Sequence, residues 1–487
     1  MSFTLWMSDF SETSQWTVRE DGAQTRRFDE LPDEQDAPEA LTKEKIFRWL
    51  QRVNALVRNG TIRVNCRARG KRNEFCLADP FGNGLFPGSG CRAGNLLGFY
   101  RDEEGAVELR SRLDAPEKPY FFLQMLLAAQ TWRLHDRDVA AALDCPLSEL
   151  LPVFFFQSCL REVIPLGCYR TYVRFERNDG RLRGSIDVAR HLRENLGLKN
   201  GRICYSYREL SADNPTNHLI LRAAEAIRKR FPDLAELFLQ QPETAEFLAQ
   251  LRSLAPGWRD VSDRTVLGRT LQAMDHPLFP GYETLRIASR MLLQYEAASW
   301  SSRQEDFEAR GILYYAPDLW EQYLERQYRR AGNAAVTLEA QLPVRAYWSE
   351  GRPRDTWYPD LVFLRQGRRC FFADAKYKPG WKTAHEGGLS SEGLAADYNK
   401  CLRDMVSLRL QSCGVIFPTQ APLTACAAHR ISEFNEDLFY TFPVFVPSIG
   451  EKPFSTWSRE MTEHTQAMLA QVAAIAQTVP VPHRHGY

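Results

Sequence analysis

Several features that would point to other classes of protein are missing from this 487-residue sequence. No apolar run approaches the roughly 20 residues of a membrane-spanning helix, which argues against an integral membrane protein. The N-terminal segment MSFTLWMSDFSETSQ lacks the basic and then apolar pattern of a secretory signal. We therefore expect a cytoplasmic protein without membrane contact.

Cysteine pairs and an excess of positive charge are also missing. The eleven cysteines include no Cys-x-x-Cys pair, so they predict reduced thiols rather than a zinc or disulfide framework. Lys and Arg total 62 against 61 for Asp and Glu, a net charge of +1, so any surface that attracts nucleic acid must be local. Lysine is scarce, and four of only eleven lysines fall within 25 residues, namely Lys376, Lys378, Lys382 and Lys400.

A nucleotide-binding loop is missing too. The glycine-rich run FGNGLFPGSG has no Gly-Lys-[Ser/Thr] ending, and no helical pattern follows it. What is present is a composition typical of globular proteins, with 44% hydrophobic, 12% aromatic and 25% charged residues. A chain of this length exceeds one ordinary core, which predicts two or three domains.

Changes of pattern predict three consecutive domains in an α/β protein of the α+β multidomain kind. Residues 1–115 alternate strand-like runs with glycine-rich turns behind a flexible acidic lead-in, which predicts a β-rich domain. Residues 116–305 combine helices with a hairpin predicted around Asn178-Asp179-Gly180, since these residues tolerate positive φ. Residues 306–487 follow the order α-β-β-β-α-β.

Charged residues occur at the ends of two strands of the last domain, YPDLVFLR and CFFADAKY. Because side chains alternate along a strand, Asp374 and Lys376 point to the same face. An unpaired charge at the end of a buried strand is costly. The pair therefore forms either a structural salt bridge or a site for a charged ligand, to which Asp360 adds a second carboxylate.

Two carboxylates and a lysine in this arrangement suit metal-assisted cleavage of a phosphodiester. Mg²⁺ or Mn²⁺ takes hard oxygen ligands and lowers the pKa of a bound water. A lysine can orient that water or stabilise the charged phosphate oxygens. The pattern is that of PD-(D/E)xK nucleases, whose restriction-endonuclease-like core has the order predicted here. It makes Asp360, Asp374 and Lys376 the predicted catalytic residues.

One further carboxylate, Glu321, lies on the helix that precedes these strands. A glutamate there often completes the metal site in this nuclease superfamily, so Glu321 is a fourth predicted catalytic residue. The alternative is an exposed helix glutamate that pairs with an arginine. Arg326 is five residues away and does not suit that pairing.

Short segments spread over about residues 105–450 share an order with one known family. They are ELRSRLD with PYFFLQMLL, LRGSID at 182–187, Tyr207 and Glu209, NPTNHLIL at 214–221, LWE at 319–321, YPD at 358–360, DAKYK at 374–378, Asp397 and GVIFP. Together they resemble the McrC family, the nuclease subunit of modification-dependent (type IV) restriction systems. The N-terminal 100 or so residues resemble nothing that we can name.

The resemblance implies a Mg²⁺- or Mn²⁺-dependent endodeoxyribonuclease of a restriction and antiviral defence system. Its implied metal ligands are Asp360, Asp374, Glu321 and the backbone carbonyl of Ala375. McrC-like proteins work with McrB, a GTP-hydrolysing AAA+ ring that recognises modified DNA. The implied partners are therefore DNA and a McrB-like ring that uses GTP or ATP.

This chain departs from the family on the helix after the predicted catalytic lysine. Members often carry Asp-x-x-Gln-x-x-x-Tyr, whereas Lys400 stands here at the glutamine position and Asp404 at the tyrosine position. We expect Lys400 and Lys378 to make accessory contacts to DNA phosphates.

Residues that contact the partner are expected in the arginine-rich middle region. Arginine presents a fixed fork to phosphate or carboxylate, and Arg181 and Arg183 follow the predicted hairpin tip. Asn217 lies in the next family segment and is included with them. The alternative is a solvated face of paired charges, because Glu176, Asp179, Asp187 and Glu194 lie nearby.

Two other functions remain open from the sequence. A catalytically silent activator of an AAA+ ring is disfavoured by the intact Asp360, Asp374 and Lys376. A stand-alone nuclease of repair or mobile elements is disfavoured by the McrC-like middle region.

Overall fold

The computed structural model describes residues 3–20, 24–34, 40–60, 62, 64–66, 78–80, 91–115, 118–129, 147–195, 201–274, 276–300, 310–349, 352–387, 392–431 and 436–481. Packing divides the chain into two compact units, one of Met1–Leu143 with Glu308–Tyr487 and one of Asp144–Phe307. The first and last predicted domains thus share one unit. The division into three domains stays a prediction, because packing does not test independent folding.

A seven-stranded sheet forms the N-terminal part of the first unit. In spatial order its strands are β3 (Arg26–Arg27), β2 (Thr17–Glu20), β1 (Phe3–Ser8), β8 (Gly105–Arg110), β7 (Leu96–Arg101), β12 (Arg310–Tyr315) and β4 (Val64–Asn65). Strands β5 (Ala78–Pro80) and β6 (Cys91–Ala93) pair separately.

Helix α1 (Lys43–Arg58) packs against this sheet. It begins where Thr42 Oγ1 accepts the backbone N–H of Lys45 at 3.3 Å, which satisfies one donor of its first turn. Apolar side chains recur at helical spacing, so Ile46 and Trp49 are buried on one face in a common cluster with the strands.

Strand β12 belongs to a distant part of the sequence and joins this sheet by pairing antiparallel with β7. The two backbones approach closely at Gly98, where φ is +126°. A Cβ atom built there would lie 2.0 Å from the carbonyl oxygen of Ile312. Glycine is therefore required at this crossing.

A six-stranded mixed sheet forms the C-terminal part of the same unit. In spatial order its strands are β13 (Thr337–Ala340), β16 (Leu361–Arg365), β17 (Arg368–Ala375), β18 (Ser412–Thr419), β20 (Leu438–Phe445) and β19 (Ala427–Arg430). The first three are antiparallel, whereas β17, β18 and β20 run parallel. Parallel neighbours need a crossover, which α11 (Trp381–His385) and α12 (Glu392–Ser407) supply between β17 and β18.

Helix α10 (Ala316–Ala331) precedes β13, so the predicted order α-β-β-β-α-β is confirmed from α10 to β18. One part of the prediction was too simple. More than one strand lies between α10 and β16, and β14 (Val344–Ser349) does not join the mixed sheet but pairs with β15 (Arg352–Trp357). Helices α2 (Tyr120–Ala129) and α13 (Phe454–Thr478) complete the regular structure among the described residues of this unit, with 3-10 turns at Thr13–Gln15 and Phe28–Glu30.

The second unit combines seven described helices with a small sheet. The helices are α3 (Leu147–Val163), α4 (Val188–Asn195), α5 (Pro215–Arg230), α6 (Pro232–Leu239), α7 (Pro242–Leu254), α8 (Asp263–Arg269) and α9 (Tyr282–Trp300), with 3-10 turns at Ile164–Leu166 and Pro256–Arg259. The sheet has the order β10 (Ser185–Ile186), β11 (Ile203–Ser211) and β9 (Thr171–Asp179).

The hairpin predicted around Asn178-Asp179-Gly180 is wrong. Strand β9 pairs with β11 along its whole length, from Thr171 opposite Ser211 to Asp179 opposite Ile203. The short β10 lies on the other edge of β11. Turn-forming residues mark where a strand ends, but they do not specify which later strand becomes its partner.

Candidate active site

Strand β17 carries Asp374 into the interior of the mixed sheet. Its neighbours are β16 and β18, and Asp374 is fully buried. Lys376 Nζ lies 2.5 Å from Asp374 Oδ2, so the two side chains share a face as predicted. The backbone N–H of Lys376 donates to the carbonyl of Ile416 at 2.9 Å, which extends the parallel ladder beyond the strand.

The start of β16 brings Asp360 beside this end of β17. Leu361 pairs with Ala373 in antiparallel register. Asp360 Oδ2 accepts the backbone N–H of Ala375 at 3.0 Å. Both predicted catalytic aspartates therefore meet at one end of the antiparallel pair of β16 and β17.

Helix α12 adds two charged residues on one face, because Asp397 and Lys400 are three positions apart. Lys400 Nζ lies 2.8 Å from Asp374 Oδ1. Asp397 forms ion pairs with two lysines. Lys376 Nζ lies 3.3 Å from its Oδ1, and Lys378 Nζ lies 3.2 Å from its Oδ2. Since Lys378 is about half exposed, the network runs from the buried carboxylate to the surface.

Burial and neighbouring charges act on the two aspartates in opposite directions. Burial raises the pKa of Asp360 to about 7, and the negative charge of Asp374 adds to the rise. Burial also opposes ionisation of Asp374, but the charges of Lys376 and Lys400 outweigh it and hold its pKa below the usual range. Asp374 is therefore ionised, and Asp360 bears the repulsion between the two carboxylates.

The donor groups fit the predicted metal ion. Carboxylate oxygens are the ligands that Mg²⁺ and Mn²⁺ prefer. Asp374, which is held ionised, and Asp360 supply such oxygens from adjacent strands. A bound dication would also relieve the repulsion from Asp374, which adds to the effect of burial in raising the pKa of Asp360. Metal binding itself stays a prediction.

Glu321 lies beside this site and is linked to it through one glutamine. Its side chain is 6% exposed, and Oε1 accepts the Gln341 amide at 2.7 Å. The backbone N–H of Gln341 donates to the carbonyl of Asp360 at 3.1 Å. The alternative prediction of an exposed glutamate is therefore wrong. Within the described ranges, no three His, Cys, Asp or Glu side chains are grouped as for a metal ion, so a metal role for Glu321 stays a prediction.

Two residues of the site were not assigned a role from the sequence. Gln341 directly follows β13, has a φ of +52°, and carries no sequence signal of its contact with Glu321. Asp397 was noted only for its resemblance to the family. Its spacing of three from Lys400 on a predicted helix was the available signal that it faces the same site.

The predicted partner residues have different environments. Arg181 and Arg183 are exposed in the segment between β9 and β10. Asn217 is fully buried, and its amide donates to the carbonyls of Tyr169 at 2.8 Å and Ala212 at 2.7 Å. Asn217 thus braces the start of α5 and is not available to a partner, which corrects its assignment as a contact residue.

The fold and the site together define a class: an α+β protein whose mixed sheet has the element order of the PD-(D/E)xK core. The family model described as "McrBC 5-methylcytosine restriction system component" matches residues 91–394, more than half of the chain. The chain belongs to this family, and the predicted resemblance is confirmed. Among the described residues, no helix combines the length and apolarity needed to cross a membrane.

One solved structure supports the fold. A chain in the assembly of Thermococcus gammatolerans McrB AAA+ hexamers with bound McrC is similar with a TM-score of 0.52 at 14% identity, over 96% of this chain and 100% of that chain. A chain in the cryo-EM structure of the Thermococcus gammatolerans McrBC complex gives 0.31 at 16% identity, over 67% and 88%. The search of curated proteins gives no match.

Proposed function

We propose that this chain is the metal-dependent endonuclease subunit of a McrBC-like restriction complex, which cleaves DNA and stimulates nucleotide hydrolysis by an AAA+ ring. One observation carries the proposal. Asp360, Asp374 and Lys376 meet at the ends of adjacent strands, in the arrangement that metal-assisted phosphodiester cleavage requires.

The proposed ligands of Mg²⁺ or Mn²⁺ are Asp360, Asp374, the backbone carbonyl of Ala375, and Glu321. When bound, such an ion supplies a water of lowered pKa and neutralises charge that develops on the phosphate. The protein contributes a water-excluding sheet interior in which Asp374 is held ionised. Gln341 holds Glu321 next to this set.

The lysines supply the positive charge of the proposed reaction. Lys376 is held between Asp374 and Asp397, so its ammonium has a fixed position from which it can orient water or contact a phosphate oxygen. Lys378, half exposed, and Lys400 are the proposed accessory contacts to the DNA backbone.

The partner follows from the family and from what the sequence lacks. The similar solved assembly is described as McrC bound to McrB AAA+ hexamers. The present chain has no Gly-Lys-[Ser/Thr] loop of its own. We infer that a McrB-like ring supplies nucleotide hydrolysis and DNA recognition, while this chain supplies the cut.

The first prediction tests the chemistry in the complex reconstituted with the ring subunit. Asp374→Ala and Lys376→Ala should reduce DNA cleavage by at least about a hundredfold, because each removes a group that acts on the reacting phosphate. Lys382→Ala is the matched control, since Lys382 lies in the same lysine-rich segment but is half exposed and pairs with Glu386. Cleavage is measured with Mg²⁺ under single-turnover conditions.

The outcomes separate the three functions considered. Full cleavage by Asp374→Ala would contradict the assigned site. Stimulated hydrolysis without cleavage by the wild type would indicate a silent activator. Efficient, sequence-specific cleavage by the isolated chain would indicate a stand-alone nuclease.

A further inference from the structure

A segment that follows a strand of the N-terminal sheet contacts Tyr377, the residue after Lys376. Strands β1 and β8 are parallel neighbours, with Ser8 opposite Arg110. The residues after them, Asp9 and Ser111, therefore leave the same edge of the sheet side by side. The backbone N–H of Asp9 donates to the carbonyl of Arg110 at 2.8 Å, which keeps the two segments together.

Tyr377 is held by residues from this edge. The guanidinium of Arg112 donates to the backbone carbonyl of Tyr377 at 2.5 Å and lies 4.6 Å from the centroid of its ring. Ser111 Oγ and the Tyr377 hydroxyl oxygen are 2.7 Å apart. The ring of Phe121 stacks on Tyr377 with a centroid separation of 6.4 Å. Backbone and side chain of Tyr377 are thus both fixed.

Asp9 completes this arrangement from the neighbouring strand. It is fully buried, and its carboxylate accepts both the backbone N–H and the guanidinium of Arg112, the latter at 3.2 Å. Removing one partner of a buried, hydrogen-bonded ion pair is costly. We call Asp9, Ser111 and Arg112 with Tyr377 the Tyr377 clamp.

The clamp acts next to the proposed catalytic lysine. The backbone of Lys376 is bonded through its own N–H to Ile416, and the following carbonyl, that of Tyr377, is bonded to Arg112. The path of the chain is therefore fixed on both sides of the lysine. Displacement of a reacting group by about 1 Å can cost about a hundredfold in rate.

We propose that Arg112 and Asp9 are positioning residues of the nuclease, which fix the Lys376 ammonium by holding Tyr377 from the N-terminal sheet. The inference rests on the proposed role of Lys376. It gives a reason for two segments that the sequence shows separately, ELRSRLD and DAKYK, because in the fold they form one contact.

The test compares Arg112→Gln with Arg110→Gln in the reconstituted complex. Arg110 lies two residues away and pairs with Glu108 at 2.8 Å, so it is a matched control outside the clamp. We expect the maximal single-turnover cleavage rate of Arg112→Gln to fall about ten- to a hundredfold, with the half-saturating DNA concentration unchanged. Arg110→Gln should match the wild type. Arg112→Lys, which keeps the charge but not the fork, should fall between them.

A second variant keeps the proposal testable if Arg112→Gln does not fold. Tyr377→Phe removes the hydroxyl contact and keeps the ring, and its maximal rate should fall about three- to tenfold. All rates are measured on protein whose circular dichroism matches that of the wild type.

The proposal is overturned if folded Arg112→Gln reaches the wild-type maximal rate, or if it changes only the half-saturating DNA concentration. If Arg112→Gln does not fold, a wild-type rate for Tyr377→Phe overturns it. Lys376→Ala is included in the same series. A fully active Lys376→Ala would remove the proposed function itself, whereas an inactive Lys376→Ala beside a fully active Arg112→Gln would remove only the clamp.

Discussion

At the scale of single residues, the negative charge of Asp374 is balanced by two lysines. Asp374 has Lys376 and Lys400 on its two oxygens, at 2.5 and 2.8 Å. The ammonium of Lys400 stands where family members often carry a neutral glutamine. Charges in this partly buried setting interact more strongly than in water. Lys400 would therefore compete with the proposed dication for the same carboxylate.

The second prediction concerns this extra charge. Lys400→Gln should bind Mn²⁺ at least about tenfold more tightly than the wild type. The substitution removes a positive charge next to Asp374 that would repel the dication. Titration calorimetry on the isolated chain measures this directly. Lys382→Gln removes the same charge from a half-exposed position in the same lysine-rich segment and should leave the affinity unchanged. Weaker Mn²⁺ binding by Lys400→Gln would show that its ammonium supports the metal site instead.

At the scale of elements, the first unit depends on strand β12, which joins two sequence regions about 200 residues apart. Its close approach to β7 is possible because Gly98 has no Cβ. Buried backbone groups of both strands are paired along this contact. An added methyl group must therefore separate the strands or distort them.

The third prediction is a loss of stability from this methyl group. Gly98→Ala should lower the free energy of unfolding by about 2–4 kcal/mol, since it combines an unfavourable φ with a clash against backbone. Gly332→Ala is the control, because Gly332 also has positive φ, +61°, but no atom within 4 Å of the added Cβ. It should cost about 1 kcal/mol. Equal losses in urea unfolding would contradict the steric argument.

Local patterns predicted the elements of the C-terminal α-β-β-β-α-β core well, because its strands and helices are set by short-range periodicity. The run that contains Asp374 and Lys376 and the helix that carries Lys400 could be placed in this way. The pairing of β9 could not be predicted, since its partner is chosen by packing across a separation in sequence. The same holds for Gln341 and Arg112, whose contacts depend on where distant elements meet.

At the scale of the whole molecule, the two proposed activities fall in different compact units. The proposed catalytic residues lie in the unit of Met1–Leu143 with Glu308–Tyr487, whereas Arg181 and Arg183 lie in that of Asp144–Phe307. The corrected topology places these arginines in the exposed segment between β9 and β10, and not at a hairpin tip. The expectation that they contact the ring now rests on this exposure and on their chemistry.

The fourth prediction is that the two activities can be separated. Arg181→Glu with Arg183→Glu should reduce stimulation of the ring subunit's nucleotide hydrolysis by about tenfold or more, because reversed charges repel a complementary partner surface. Mn²⁺ binding by the isolated chain should not change. Asp374→Ala should show the reverse pattern, with stimulated hydrolysis and no cleavage.

The control reverses two exposed arginines on α8 of the same unit, Arg264→Glu with Arg269→Glu, and should preserve both activities. If the Arg181/Arg183 variant and Asp374→Ala each lose both activities while folded, the functions are not modular and the assignment of ring contact to this segment is wrong.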